Sequence, residues 1–485
     1  MLRENVQMKM SQYKSLYDII VPKGNLLRKI KENIDFSFVN PMLKEQYCEK
    51  FGRPAAEPEM MFKLMFLKKL YDLSDVKLVQ NAHVNMAYKY LLDLNPEDGM
   101  IDSSLMTKFR KTRITEDILE EMLKETIRQA IEKGIIKSNT IIIDSTHTEA
   151  AARPKSVTQV LRDLSKQLRK EIYKTMYDLS KEFPEKPCET AELSEELEYT
   201  RKLLESTEKG ILECDNKTIK KIHYRIKELL DTDRIREIRS KTDEDARFGH
   251  KTPTKTFFGY KNHIAMTEER IITGIKVTSG EAPDGKHLET LVEKSKKNGI
   301  AVKVVVGDMA YVSKDNLKYC GDEIMLIAKS NPVIAGLDSP KNDGFEYNKD
   351  AETMQCPAGE LAMRTDKKEL ESGNTFYRYT FSKMKCKKCP LKDTCPAVRK
   401  YENTYCVTVL NEQYKARLEF ERTKDFSRRL SVRYRIEEKN GELKQAHGLG
   451  KSDSRGLTAM QLQTYFTAFT VNIKRIVKLV ERSVA

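Results

Sequence analysis

The chain contains no Trp, and none of its apolar runs approaches the roughly 18 to 20 residues needed to span a membrane. No membrane partner is therefore expected. Its first residues, Met1-Leu2-Arg3-Glu4-Asn5-Val6-Gln7, lack the apolar centre of a secretory signal, so a cytoplasmic, reducing location is expected. Tryptophan-poor and only 39% hydrophobic, the sequence reads as a helix-rich soluble protein. What it has in quantity is charge, at 33% of residues. Lys and Arg number 87 against 73 acids, a formal charge of +14 that favours a polyanionic partner, with nucleic acid first. Many basic proteins bind no DNA, so the placement of the charge matters beside its total. A basic cluster sharpens the case: Lys108, Arg110, Lys111 and Arg113 are candidate DNA contacts.

At 485 residues the chain exceeds one ordinary core, and two to four structural units are expected. Residues 1–125 read as helical, with the buried run Met60, Met61, Leu64, Met65, Leu67 and Leu70 starting after Pro58, a good first-turn residue. Ser74-Asp75 and Asp102-Ser103-Ser104 are candidate caps of further short helices. Short helices with tight turns suit a helix-turn-helix; a plain helical bundle is the alternative.

A sheet begins in residues 136–152, where Thr140-Ile141-Ile142-Ile143-Asp144 reads as a buried strand ending in an acid. The strand pattern then stops for a polar helical insertion over 153–248. Val157, Leu161, Leu164, Leu168, Ile172, Met176 and Leu179 form a narrow apolar stripe. Leu193, Leu197, Leu204 and Ile211, then Ile219, Ile222, Ile226 and Leu229, repeat it. Two or three antiparallel helices are expected, broken at Pro184, Pro187 and Gly210. Strand signals resume over 249–335: an antiparallel hairpin from Thr256–Ala265 and Ile271–Val277, a helix from His287 to Asn298, a strand running into Asp308, and Glu323–Ala328. This order fits an α/β protein with a mixed sheet.

Nine Cys are present, and five of them, Cys48, Cys188, Cys214, Cys320 and Cys406, read as core or incidental thiols. Cys356, Cys386, Cys389 and Cys395 concentrate in a segment, 345–406, that lacks a strong core of its own. Four thiolates with a C-x2-C knuckle suit a closed, structural Zn²⁺ site whose binding supplies folding energy. A redox pair or an iron-sulfur cluster is the alternative.

Three acids carry the chemistry. In residues 410–485 the spacing R-x3-E-x6-K places Arg433, Glu437 and Lys444 on one face of a helix at about 3.6 residues per turn. A carboxylate between two cations suits phosphodiester chemistry, and a solvated helix with i,i+4 ion pairs is the bland reading. Asn440-Gly441 weakens that helix before Lys444. Asp144 and Asp308 sit where parallel strands of an α/β sheet form a ligand crevice, so they can converge. Each is equally a candidate helix N-cap.

Taken together, Asp144, Asp308 and Glu437 resemble the D-D-E triad of bacterial insertion-sequence transposases, most closely the 1182 type. Gly52-Arg53-Pro54-Ala55-Ala56-Glu57-Pro58, Ile143-Asp144-Ser145-Thr146-His147, Phe258-Gly259-Tyr260-Lys261, Gly307-Asp308-Met309-Ala310-Tyr311 and the tail signature carry that resemblance. It implies a ribonuclease-H-like mixed-sheet catalytic domain split over 136–152, 249–335 and 410–485. It also implies an N-terminal region that binds element ends. Two divalent ions, Mg²⁺ or Mn²⁺, on the three acids are then expected to support DNA cleavage and strand transfer. The implied partners are terminal inverted repeats and target DNA, with a homodimer on DNA and association with the nucleoid. Arg433 and Lys444 become phosphate contacts, and Lys261 and His263 further contacts to the strand or to water. Relatives often carry a Tyr three residues before the Arg of the tail signature; Leu430 stands there. A non-transposing nuclease and a catalytically silent DNA-binding regulator are the alternatives.

Overall fold

The computed structural model describes residues 13–48, 55–321, 323–330, 343–370, 375–401, 403–409 and 419–484. The Gly52-Arg53-Pro54 part of the early motif and the first residues of the chain lie outside them. No helix among the described residues is long and apolar enough to cross a membrane.

The centre is a six-stranded mixed sheet. β1 (Thr140–Glu149) pairs antiparallel with β3 (Lys255–Thr267) on one edge and parallel with β5 (Val304–Val306) on the other. β6 (Met325–Ile327) extends the parallel side. On the far edge of β3, β2 (Arg247–Thr252) and β4 (Ile272–Ser279) follow one another end to end. The antiparallel hairpin and the parallel strands are therefore where the apolar runs place them. Gly259 explains how tightly β1 and β3 meet: a Cβ there would stand 2.0 Å from the Thr148 carbonyl oxygen, which no side chain allows.

β1 departs from expectation. It does not stop at Asp144 but runs on to Glu149, with Asp144 near its middle. Beyond Ile142 the pairing with β5 ends while that with β3 continues, so one edge opens. Burial then alternates, which a search for continuous apolar runs misses.

The helix Pro58–Leu70 is buried on nearly every side, with Lys63 and Lys69 among its buried residues. Its Phe62 ring lies 5.3 Å from Phe466 and 5.3 Å from Phe469, both on the last helix, Leu457–Val484. One buried cluster thus joins Leu27 and Phe62, Ile141–Ile143 of β1 and Phe466. Ser74 caps its helix by accepting from the Lys77 amide, whereas at the helix Ser104–Thr112 the cap residue Ser103 makes no side-chain bond and Asp102 before it accepts from the Ser104 amide at 2.8 Å.

The insertion forms three helices, Val157–Thr175, Leu193–Glu213 and Lys217–Asp231, around a separate core that includes Leu161, Leu168, Leu203 and Ile226. Gly210 is a correction. It does not break a helix but sits inside one, where its missing side chain admits Leu179, whose Cδ1 lies 2.8 Å from a Cβ built there.

The cysteine-rich segment corrects the expectation of a weak core. β7 (Glu346–Asn348) and β8 (Thr353–Gln355) form a hairpin, and β9 (Arg364–Glu369), β10 (Thr375–Thr380) and β11 (Thr404–Val409) a three-stranded sheet. Met354, Tyr377, Tyr379, Phe381, Tyr405 and Val407 pack together, and the Phe345 and Tyr405 rings stack at 3.9 Å. The period-two aromatics Tyr377, Tyr379 and Phe381 alternate with Arg378 and Thr380, as in a strand with one buried face.

Candidate active site

β1 and β5 bring two acids side by side. The parallel register pairs Ile142 with Val306, and two residues further along each chain come Asp144 and Asp308. Both are only 8% exposed. Gly307, just before Asp308, leaves room for the Tyr311 ring, since a Cβ there would meet it at 2.9 Å. Asp308 is the cap that its strand-end position suggests: Oδ1 caps the turn Met309–Tyr311 by accepting from the Ala310 amide at 2.8 Å, while Oδ2 bonds the Lys349 ammonium.

Lys349 lies in the turn between β7 and β8, and its Nζ is also 3.9 Å from Asp144 Oδ1. Behind it, Lys261 Nζ bridges Asp284 Oδ1 at 3.1 Å and Asp350 Oδ2 at 2.9 Å. His263 Nδ1 is 3.7 Å from the same Asp284 oxygen, and its Nε2 is 2.9 Å from Thr278 Oγ1. Lys261 and His263 are thus buried inside the polar cluster, at 4% and 0% exposure, and present no open surface. Tyr311 is wholly buried and its hydroxyl has no hydrogen-bond partner.

Burial sets the charge states of this cluster. It pushes Asp144 up to about 7, with Asp308 and Asp284 adding to the effect against Lys349 and Arg433. Burial of Lys261 and Lys349 works to lower them, but Asp284 and Asp350 push Lys261 up, and Asp308 and Asp144 push Lys349 up. Burial lowers His263 to about 3, so it is neutral.

The Asp144 shift makes a pH prediction. An unfolded Asp titrates near 3.9, so between roughly pH 4 and the folded value of about 7 the native state holds more protons than the unfolded one. Its contribution to stability is full below the unfolded value and lost as pH rises through the folded one. Metal-free Asp144→Asn, which cannot ionise, is therefore expected to melt above the wild type at about pH 8 and to lose that advantage at about pH 4. Thermal unfolding across this range checks it; a difference independent of pH would contradict it.

The third acid lies on the helix Tyr434–Gln445, with Arg433 just before it. Asn440-Gly441 does not interrupt this helix. Ile436 and Leu443 are buried beneath it, and the following loop is stitched to β1 by Thr148 Oγ1 donating to the Leu449 carbonyl at 2.6 Å and by the Glu149 amide donating to Gly450 at 3.0 Å. The helix thereby touches the centre: Asn440 Nδ2 donates to Asp144 Oδ2 at 3.1 Å, and Lys444 Nζ is 3.4 Å from the His147 ring. Asn440 Oδ1 is buried without a partner. Burial, with Lys251 adding, lowers Lys444 to about 8.

Glu437 is 56% exposed in its side chain and pairs with Arg433 at 2.7 Å, the surface i,i+4 ion pair, and it is not gathered with Asp144 and Asp308. Of the other acids that could stand in for a member of the triad, Glu438 is engaged with Arg270, Glu442 with Lys439 and Lys474, Asp243 with the Tyr260 hydroxyl and Asp245 with the Leu457 amide, whereas Asp284 sits inside the cluster on Lys261. Among the described residues no group of three or more His, Cys, Asp or Glu is gathered closely enough to hold a metal ion.

In the N-terminal helices, Lys108 and Lys111 are exposed. Arg110 is tied to Asp75, with Nη1 to Oδ1 at 3.1 Å, and Arg113 donates to the Gln46 carbonyl and lies 4.5 Å over the Tyr47 ring.

Cys356, Cys386, Cys389 and Cys395 line one cavity of about 320 Å³. Two tight turns present them: the Gly359 amide donates to Cys356 O at 2.8 Å, and the Cys389 amide to Cys386 O at 3.2 Å. Burial, with the neighbouring sulfurs adding, pushes the Cys356 and Cys386 thiols up.

Lys349, Asn440 and Tyr311 were not marked by the sequence as site residues. Lys349 follows a short strand in a charged stretch, and nothing local announces its distant partners.

Two family models match the chain: a transposase domain (DUF772) over residues 15–112 and a transposase DDE domain over residues 355–477. The protein is a transposase. More particularly, the chain belongs to the DDE-type insertion-sequence transposases, whose DDE domains generally use divalent metal ions. The second match takes in the four clustered Cys and Glu437, whereas Asp144 and Asp308 lie outside both. No curated protein and no solved structure matches.

Proposed function

We propose that this chain, as a transposase of the 1182 type, binds the terminal inverted repeats of its element and cuts and joins DNA through Asp144, Asp308 and Glu437. The observation that carries the reading is the convergence of two buried carboxylates on adjacent parallel strands around a cation. The strand order, with β3 and β4 antiparallel beside β1 and β5 and β6 parallel on its other side, supports a ribonuclease-H-like sheet.

The donor set fits Mg²⁺ or Mn²⁺: all three acids offer hard oxygens, and the unpartnered Asn440 Oδ1 adds an acceptor beside Asp144. Two such ions, when bound, supply activation of water or a 3′-hydroxyl and stabilisation of the leaving oxygen. Asp144 and Asp308 hold the acidic floor, fixed by β1 and by the Met309–Tyr311 cap. Glu437 joins them by exchanging its Arg433 partner, which frees the guanidinium for a backbone phosphate. Lys444, beside His147 at the other end of the same helix face, takes a second phosphate. Lys261 and His263 act through Asp284 and Asp350, holding the cluster's polar wall in place. Lys108 and Lys111 contact DNA from the N-terminal helices, with Arg110 and Arg113 shaping that surface. The four clustered Cys, which line one cavity, supply the donor types of a structural Zn²⁺ and would have to draw closer to hold it. A homodimer on DNA follows from the need to process two element ends together.

Glu437→Gln tests the assignment. Cleavage of inverted-repeat DNA in Mg²⁺ is expected to fall by at least about 10²-fold, with end binding retained. Undiminished cleavage would remove Glu437 from the site. Cleavage by the wild type without strand transfer would favour a plain nuclease.

A further inference from the structure

The cysteine-rich segment does more than fold on itself: its first hairpin reaches into the acid cluster. The turn after β7 sends Lys349 and Asp350 inward together. Lys349 Nζ bonds Asp308 Oδ2 and lies 3.9 Å from Asp144 Oδ1, while Asp350 Oδ2 takes Lys261 at 2.9 Å. Lys286 and Glu346 form a third ion pair at the base of the hairpin. The turn itself is fixed by Asn348, whose Oδ1 accepts from the Ala351 amide at 3.0 Å. Lys349 is a long side chain with only 27% of its surface exposed, and two opposed charges offset the cost of ordering it there.

Two buried carboxylates a few ångströms apart repel each other unless a cation lies between them. In this structure the cation is the Lys349 ammonium. A divalent ion bound to the same oxygens would occupy the same place, and the two cannot share it.

We propose that Lys349 is an active-site residue that competes with divalent metal for the slot between Asp308 and Asp144, so that loading the site requires the β7–β8 hairpin to release it. This rests on the acids' metal-binding role proposed above. Cys356 follows β8 directly, so the cysteine cavity and the metal slot are linked by one short hairpin. The segment's folding thereby bears on the centre's metal affinity.

The test is Mn²⁺ binding to the full chain without DNA, followed by calorimetry at about pH 8, where competition from protons is weak. Lys349→Met, which keeps the side chain's length and apolar stem but not its charge, is expected to bind Mn²⁺ at least about tenfold more tightly than the wild type. Lys349→Arg, which keeps the charge, is expected to stay close to the wild type. Unchanged or weaker binding in a folded Lys349→Met, or the same tightening in Lys349→Arg, would overturn the proposal. Asp308→Asn separates it from the underlying reading. If wild type and Asp308→Asn bind Mn²⁺ alike, the acids do not hold the metal and both ideas fall. If Asp308→Asn abolishes binding while Lys349→Met leaves it unchanged, only the competition falls.

Discussion

Asp308→Ala and Asp308→Asn are both expected to lower DNA cleavage by at least about 10³-fold while end binding persists. The two variants separate the two roles of the carboxylate. Oδ1 caps the Met309–Tyr311 turn and Oδ2 faces the cation slot. Asn keeps an oxygen for the Ala310 amide but gives up the charge, so it removes the contributions to metal binding and to the Lys349 pair while sparing the cap. Ala gives up both, and loss of the cap adds a destabilisation of about 0.5–2 kcal/mol. The Asn variant should therefore melt above the Ala variant yet fail to cleave just as fully. Gel-shift and cleavage assays on the same inverted-repeat DNA check this. Cleavage that survives in Asp308→Asn while falling in Ala would make Asp308 a structural cap and nothing more.

The second large effect concerns the cysteine cavity. Cys389→Ser is expected to abolish stoichiometric zinc, because serine is a poor ligand for Zn²⁺ in place of a thiolate and three remaining sulfurs leave the tetrahedral set incomplete. In small domains that depend wholly on zinc, binding contributes about 10–16 kcal/mol. Here the aromatic core around Tyr379, Phe381 and Tyr405 stands beside the cavity, so the segment has a second source of stability. The expected result is loss of metal with faster proteolysis around the Lys383–Lys387 helix, while the three-stranded sheet survives. Elemental analysis and limited proteolysis check both parts. A folded wild-type protein without zinc would remove the metal from this cavity.

Much of the site was legible because its parts obey local rules. Ile141-Ile142-Ile143 and Val304-Val305-Val306 are continuous β-branched runs, as strands buried on both faces require, and each leads to its acid. The insertion's stripe is helical in period and packs as three helices. Other features were illegible because they depend on distant contacts. Asn440-Gly441 reads as a weak point, yet Asn440 is where the helix meets Asp144. Gly210 reads as a breaker, but Leu179 from another element fills the space beside it. Lys349 reads as one lysine among many, and only the folded hairpin brings it to Asp308. Lys261 and Arg110 show the converse: basic residues in suggestive places are committed to buried or half-buried carboxylates.

The central claim, that Asp144, Asp308 and Glu437 hold the metal used on DNA, is tested most directly by putting Fe²⁺ in place of Mg²⁺ and letting peroxide generate radicals at the ion. The polypeptide should then be cut beside Asp144, beside Asp308 and within the helix Tyr434–Gln445, with all three cuts lost in Asp308→Asn. Cuts confined to other segments, or the same three cuts in Asp308→Asn, would contradict it.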